Sequence, residues 1–563
     1  MKEDQSKSQR GRTAIATFKT LADALILRGS YQPSGTTGSK LENALLQFSP
    51  EIYGSMGDPR IAELKGLEYV VDRLPRGIEK CSKIVLTAQE DFEDTSFEEI
   101  LPLKRRRLSY RVSDREICIV VTRGTTEIYD LLTHLTFMNI EAQKIYNHAC
   151  LSHSEPFSQW QELSAMVGKD EEPHGADLDR ALWNLSIIVG RTYKETRDTY
   201  EYLEQNRQHK YNNGLFRIIH ALGQRIIDEH QDRAERLTIY FTPSLQEVLG
   251  QHRYATAWAE SLSASLVKLK LHERPIHIIS ANLHSIKNTL FGKGALLALG
   301  KAVPDDLYEM VHLIREENID VAEFAQSCGF YTHQDESGCN VDVQIIDTAQ
   351  LTPECIHPEV HIDFELLSKR SPVIVVLDYA FGAQAYEILD EFLSPTKLKE
   401  GTVSLQIESI SIMGKAGILP GEKGDIMLAT AHVMEGTPHN YIVENDLSID
   451  DFEGKAKVYS GPMVTVLGTS LQNRDVLDRF HNSPWKAIGL EMEGGHYQRA
   501  INAAIIQGHI PKNMKVRYAY YASDNPLLSG QTLASGPMGV EGVAPTYLIS
   551  KVIIEKICNP DEA

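Results

Sequence analysis

Between Thr13 and Lys80 apolar side chains recur every three or four residues, as at Phe18, Leu21, Ala22, Leu25 and Ile26. That spacing predicts helix. The run Pro33-Ser34-Gly35-Thr36-Thr37-Gly38 interrupts it. Ile117 to Val121 is a compact apolar stretch that predicts one buried strand, and Arg123-Gly124-Thr125-Thr126 reads as a strand-to-helix connection. From Glu127 to Lys270 the helical period returns, with Leu182, Leu185, Ile188 and Val189 on one face and Leu215, Ile218, Ile219, Leu222, Ile226 and Ile227 on another. The texture changes at Arg274-Pro275. Strand-like runs follow at Ile276–Ile279, Val341–Ile346, Val373–Leu377, Ile407–Met413, Asp425–Ala429, Val458–Tyr459 with Met463–Leu467, Ala487–Leu490 and Val516–Ala522. Apolar strands alternating with helices predict a mostly parallel sheet covered on both faces. The expected fold class is therefore α/β. A mainly α-helical domain with one small sheet element spans residues 1–272, and a three-layer α/β/α domain with a mixed, mostly parallel sheet spans 273–563.

The length of 563 residues agrees with more than one domain. Lys plus Arg is 57 against 77 Asp plus Glu, a net charge of -20, which argues against nucleic acid or a membrane surface as partner. A small phosphorylated ligand stays compatible, because backbone N–H groups hold phosphate in acidic proteins. The 7 cysteines include no CxxC pair and read as reduced core thiols, so the expected location is cytoplasmic. Met1 to Gly11 is polar and resembles neither a signal peptide nor an anchor. The basic run Lys104-Arg105-Arg106-Arg107 reads as a solvated face or strand edge, and His432 with His439 lacks metal-ligand spacing.

Four segments carry candidate chemistry, each at a predicted strand end, where open α/β sheets bind ligands. Asp378-Tyr379-Ala380-Phe381-Gly382-Ala383 is a small-residue turn into a helix, which lets backbone approach a ligand. Gly414-Lys415-Ala416-Gly417 ends one strand, and Gly424-Asp425 opens the next, with Asp425 read as a turn cap. Glu491-Met492-Glu493-Gly494-Gly495 joins a strand to a helix. On an extended segment its two carboxylates point the same way, and paired glycines at a helix start imply that something approaches closely. Ser523-Asp524-Asn525-Pro526 ends the last strand, with Asp524 expected to project into the crevice.

In order and spacing this set resembles the nucleoside phosphorylase and nucleosidase superfamily. The stretch Lys423–Asp446 and the Ser523–Leu527 segment are most similar to the AMP nucleosidases. The resemblance covers Arg274 to Cys558 and is densest after Val373. It implies that Glu493 holds the ribose hydroxyls, that Met492 packs on the sugar, and that Asp524 protonates or hydrogen-bonds the purine at N7. Gly382, Gly414, Gly417, Ser523 and Glu491 would complete the substrate site. The implied reaction is cleavage of the N-glycosidic bond of a purine nucleotide, AMP first, with phosphorolysis of a nucleoside or a silent nucleotide-binding protein as alternatives. The implied partners are the purine ligand, phosphate for the phosphorolytic alternative, and further copies of the chain. No cofactor or metal is implied.

The chain also departs from the family pattern. Lys415 stands where a small residue is usual, and Ser280–Ser285 holds no carboxylate to activate water, His284 being read as structural. Arg474 and Arg499 are the candidate phosphate ligands.

Overall fold

A computed structural model of the chain describes residues 6–88, 92, 95–105, 107–149, 157–169, 173–399, 401–452, 454–528 and 539–560. The fold is mixed α/β, and contacts divide it into two compact units. The first holds residues 1–122, 127–251 and 470–476, and the second holds 123–126, 252–469 and 477–563. The contact division falls at 251/252, and each unit includes a short segment from the other's stretch of chain.

The first unit contains more sheet than its helical periodicity predicts. Strands β1 (Ser30–Tyr31), β2 (Lys83–Thr87), β3 (Glu98–Ile100), β4 (Ser109–Ser113), β5 (Glu116–Val120) and β6 (Thr238–Phe241) form one sheet in the order β1-β6-β2-β5-β4-β3. β2 pairs in parallel with both β5 and β6. None of these strands exceeds five residues, too short for a period to declare itself between long helices. The basic run is not a solvated face throughout. Arg107 is buried, donating to Glu127 at 2.9 Å and pairing with Asp130, while Arg106 lies outside the described residues. Two carboxylates compensate the desolvated guanidinium, the condition for burying such a charge.

The second unit holds β7 (Ile276–Ser280), β8 (Phe330–His333), β9 (Val343–Asp347), β10 (Val373–Leu377), the small hairpin β11 (Thr396–Leu398) and β12 (Gly401–Val403), β13 (Ile407–Ile418), β14 (Ile426–Met434), β15 (Asn440–Ile442), β16 (Val458–Thr465), β17 (Gly489–Glu491) and β18 (Lys515–Asp524). All but the hairpin make one sheet ordered β15-β14-β16-β17-β13-β7-β10-β9-β8, with β18 pairing both β13 and β14. Those last pairings close β13, β17, β16, β14 and β18 into a ring. β10, β7, β13 and β18 run in parallel, so their C-terminal ends share one edge. Period-two alternation decides the packing. Val373, Val375 and Leu377 face the helices Arg253–Lys268, Gln384–Leu393 and Gly494–Gln507, whereas Ile374 and Val376 face Ser285–Ala298, Leu307–Glu316 and Val543–Cys558. Among the described residues no helix is long and apolar enough to cross a membrane.

Candidate active site

Asp524 is the last residue of β18. A register shift between Ala416 and Gly417 sets it opposite Gly417 of β13. An extra residue at a strand end re-aims the side chain that follows it. Ser523, beside that irregularity, donates to Ala416 O at 3.2 Å and to Asp524 Oδ1 at 2.5 Å. Asn525 holds the turn, donating to Leu419 O at 3.1 Å and Gly421 O at 2.9 Å. A Cβ on Gly417 would lie 2.7 Å from Leu490, so this glycine serves strand packing. Asp524 is 2 % exposed, and its Oδ2 has no hydrogen-bond partner among the described residues. Burial raises its pKa above the ordinary carboxylate value, against the opposing pull of the Ser523 hydroxyl and the Lys415 ammonium.

Glu493 lies at the start of the helix Gly494–Gln507 and is half-buried. Its Oε1 accepts the Gly382 N–H at 2.9 Å, which brings two of the sequence-predicted residues into direct contact. Gly382 has φ +57°, and a Cβ there would lie 2.4 Å from Thr126. Thr126 Oγ1 in turn accepts the Ala383 N–H at 2.8 Å. The Arg123–Thr126 tetrad, a plain connection by sequence pattern, thus belongs to the second unit and buttresses the Gly382 turn. The exposed ring of Tyr379 lies 3.5 Å from where a Cβ of Gly414 would be. Gly414 therefore leaves room for an aromatic ring within the Asp378–Ala383 turn.

Glu491 and Glu493 do not point the same way. The strand ends at Glu491, and Glu493 has left extended geometry (φ -118°, ψ -29°). Glu491 turns inward and is 3 % exposed. It accepts from Thr465 Oγ1 at 2.5 Å, from the Glu493 N–H at 2.6 Å and from the Gly494 N–H, and it lies 3.2 Å from His432 Nδ1. Burial works to raise its pKa, yet the contacts from His432, Thr465 and Gly494 hold it below the ordinary value. Met492 is also mostly buried, at 6 % exposure. The paired glycines admit protein rather than ligand. A Cβ on Gly494 would lie 2.2 Å from His432 and 2.4 Å from Tyr520, and one on Gly495 would lie 2.4 Å from Met434.

Neither candidate phosphate ligand joins these residues. Arg474 clusters with the first unit, where its backbone N–H donates to Glu51 at 3.2 Å. Arg499 lies 4.2 Å over the Tyr386 ring. His284 Nδ1 lies 3.2 Å from Tyr547 Oη, consistent with a structural part. A cavity of about 610 Å³ lies in the first unit, between the helices Ser158–Lys169 and Ala176–Val189, and none of the site residues lines it. Motif reading assigns these contacts to none of Thr126, His432, Thr465 and Tyr520. Each is a common residue type whose meaning comes from a partner distant in sequence.

A family model matches residues 39–297 and 307–559, most of the chain. The chain belongs to DUF6909, a family of unknown function. This DUF6909 chain matches no curated protein. Among solved structures it is similar to a 5'-methylthioadenosine/S-adenosyl homocysteine nucleosidase from Campylobacter jejuni (12% identity, TM-score 0.30, covering 51% of this chain and 98% of the other). It is also similar to an AMP nucleosidase from Bacteroides thetaiotaomicron (14%, TM-score 0.28, 53% and 97%). A uridine phosphorylase from Schistosoma mansoni is a further neighbour (12%, TM-score 0.30, 52% and 91%). These neighbours have the nucleoside phosphorylase and nucleosidase fold and match about half the chain at low identity.

Proposed function

We propose that this DUF6909 protein cleaves the N-glycosidic bond of a purine nucleoside or nucleotide, with AMP the first substrate to test. The observation that carries the reading is Asp524: a buried carboxyl, raised in pKa, with Oδ2 free of a hydrogen-bond partner among the described residues. Departure of a purine places negative charge on the base, and a carboxylic acid that keeps its proton can donate to it. Positive charge develops on the ribosyl ring, and the half-exposed carboxylate of Glu493 is suited to accept from vicinal sugar hydroxyls. Ser523 orients Asp524 through Oδ1, leaving Oδ2 for the base. Met492 and the Gly382, Gly414 and Gly417 backbone would complete the walls. The same reading carries a homo-oligomer in the cytoplasm.

The test is a screen of adenine, guanine and uracil nucleosides and monophosphates for base release, with and without inorganic phosphate. Adenine and ribose 5-phosphate released from AMP without phosphate support hydrolysis, and a strict need for phosphate supports phosphorolysis. Release from none of them rejects the enzyme reading. A second reading, nucleotide binding without turnover, is favoured by Lys415, whose ammonium pulls Asp524 toward its charged form, and by the missing carboxylate in Ser280–Ser285. AMP binding with no product over hours selects it.

A further inference from the structure

We propose that Glu491 is a positioning residue: a buried carboxylate that sets where Glu493 points by gripping the backbone amides of Glu493 and Gly494. The proposal rests on the functional reading above only for what Glu493 does, and not for the grip itself.

A helix start leaves its first N–H groups without partners inside the helix. The helix Gly494–Gln507 has no side-chain cap from its own N-cap residue, Glu493. Glu491 takes that place from two residues upstream, with Oε2 accepting from the Glu493 N–H at 2.6 Å and from the Gly494 N–H. A carboxylate is favoured at this end of the helix dipole.

Glu491 is itself held from two strands. Thr465 of β16 donates to Oε1 at 2.5 Å, and His432 of β14 lies 3.2 Å from the same oxygen. Thr465 Oγ1 also accepts the Gly495 N–H at 3.1 Å, so one hydroxyl ties both the carboxylate and the next turn of backbone. Gly494 and Gly495 let the helix start sit close enough for these bonds, since a Cβ at either would collide with His432, Tyr520, Met434 or Thr465. The Glu493 backbone thereby becomes an extension of the strand ring, and its carboxylate reaches the Gly382 N–H at 2.9 Å. Glu491, with both oxygens occupied and almost no exposed surface, is placed to act through Glu493 rather than on a sugar.

A double-mutant cycle on the full chain tests this, with Glu491→Gln, Glu493→Gln and the pair, titrated with adenosine and with adenine. If Glu491 acts through Glu493, E491Q weakens adenosine more than adenine, by up to about a hundredfold. The double variant is then no weaker than E493Q alone. Losses that multiply, or equal losses for adenosine and adenine, overturn the proposal. Thr465→Val, which removes one anchor and keeps the carboxylate, should show the same selectivity at smaller size and serves if E491Q folds poorly. Amide hydrogen exchange needs no ligand: the Glu493 and Gly494 amides should exchange faster in E491Q, and unchanged exchange overturns the grip. If the wild-type chain binds neither probe, the base-release screen decides the functional reading and exchange still decides the grip.

Discussion

Folding raises the pKa of Asp524 because burial costs the carboxylate form more than Ser523 and Lys415 return to it. The sign of the pH dependence follows. A catalytic acid works while protonated, so base release should be present below the folded-state pKa of Asp524 and lost as pH rises through it. Asp524→Asn should lower turnover by about 10²–10⁴-fold. Turnover equal to wild type would remove the catalytic role. Stability moves the same way. A carboxyl raised on folding makes the native state bind more protons than the unfolded chain, so its contribution falls as pH climbs above the unfolded value. Asn carries no such penalty. Urea unfolding at pH 5 and pH 8 should therefore show D524N gaining on wild type at the higher pH, and no gain would mean that folding does not raise this pKa. Residue type alone announced a carboxyl at Ser523-Asp524-Asn525-Pro526. That Ser523 engages Oδ1, while Oδ2 has no partner among the described residues, is visible only in the folded chain.

The helix start at Gly494 shows what an element adds to its residues. Sequence pattern marked Glu-Gly-Gly as unusual and attributed it to a close approach, which is what the structure has. The approaching groups are His432 and Tyr520 for Gly494, and Met434 and Thr465 for Gly495. They lie on β14, β16 and β18, strands distant in sequence from the helix, so no local rule could have named them. Gly494→Ala should force the helix start outward and cost about 1–3 kcal/mol, the usual penalty of overpacking. A urea midpoint that does not move would show slack at this contact. The same scale explains the two glutamates. Alternation along a strand would aim both one way, but the strand stops at Glu491 and the helix begins at Glu493. The basic run is parallel, since a charge run has no inside or outside until Glu127 and Asp130 are brought beside Arg107.

Across the whole chain the two units are not consecutive pieces. Residues 123–126 belong with the second unit and 470–476 with the first. A fragment beginning at 252 would lack Thr126, leaving the Ala383 N–H without its partner beside the Gly382 turn. Its residues 470–476 would also lose Phe48 O, which accepts from Asn473 at 2.7 Å. We expect that fragment to unfold at lower urea than the full chain and to bind adenosine less tightly. Equal behaviour would show that the borrowed segments are dispensable.

Apolar alternation and glycine placement along the chain already determined the α/β class, eight of the second half's strands (β7, β9, β10, β13, β14, β16, β17 and β18) and the carboxyl-bearing turns at strand ends, because each depends on neighbours within a few residues. The first unit's six-stranded sheet, the inward turn of Glu491, the burial of Arg107 and the assignment of Thr126 to the second unit were decided only by tertiary structure. Each depends on a partner supplied from elsewhere in the chain, and whether a polar group faces water or protein is settled by that partner's arrival.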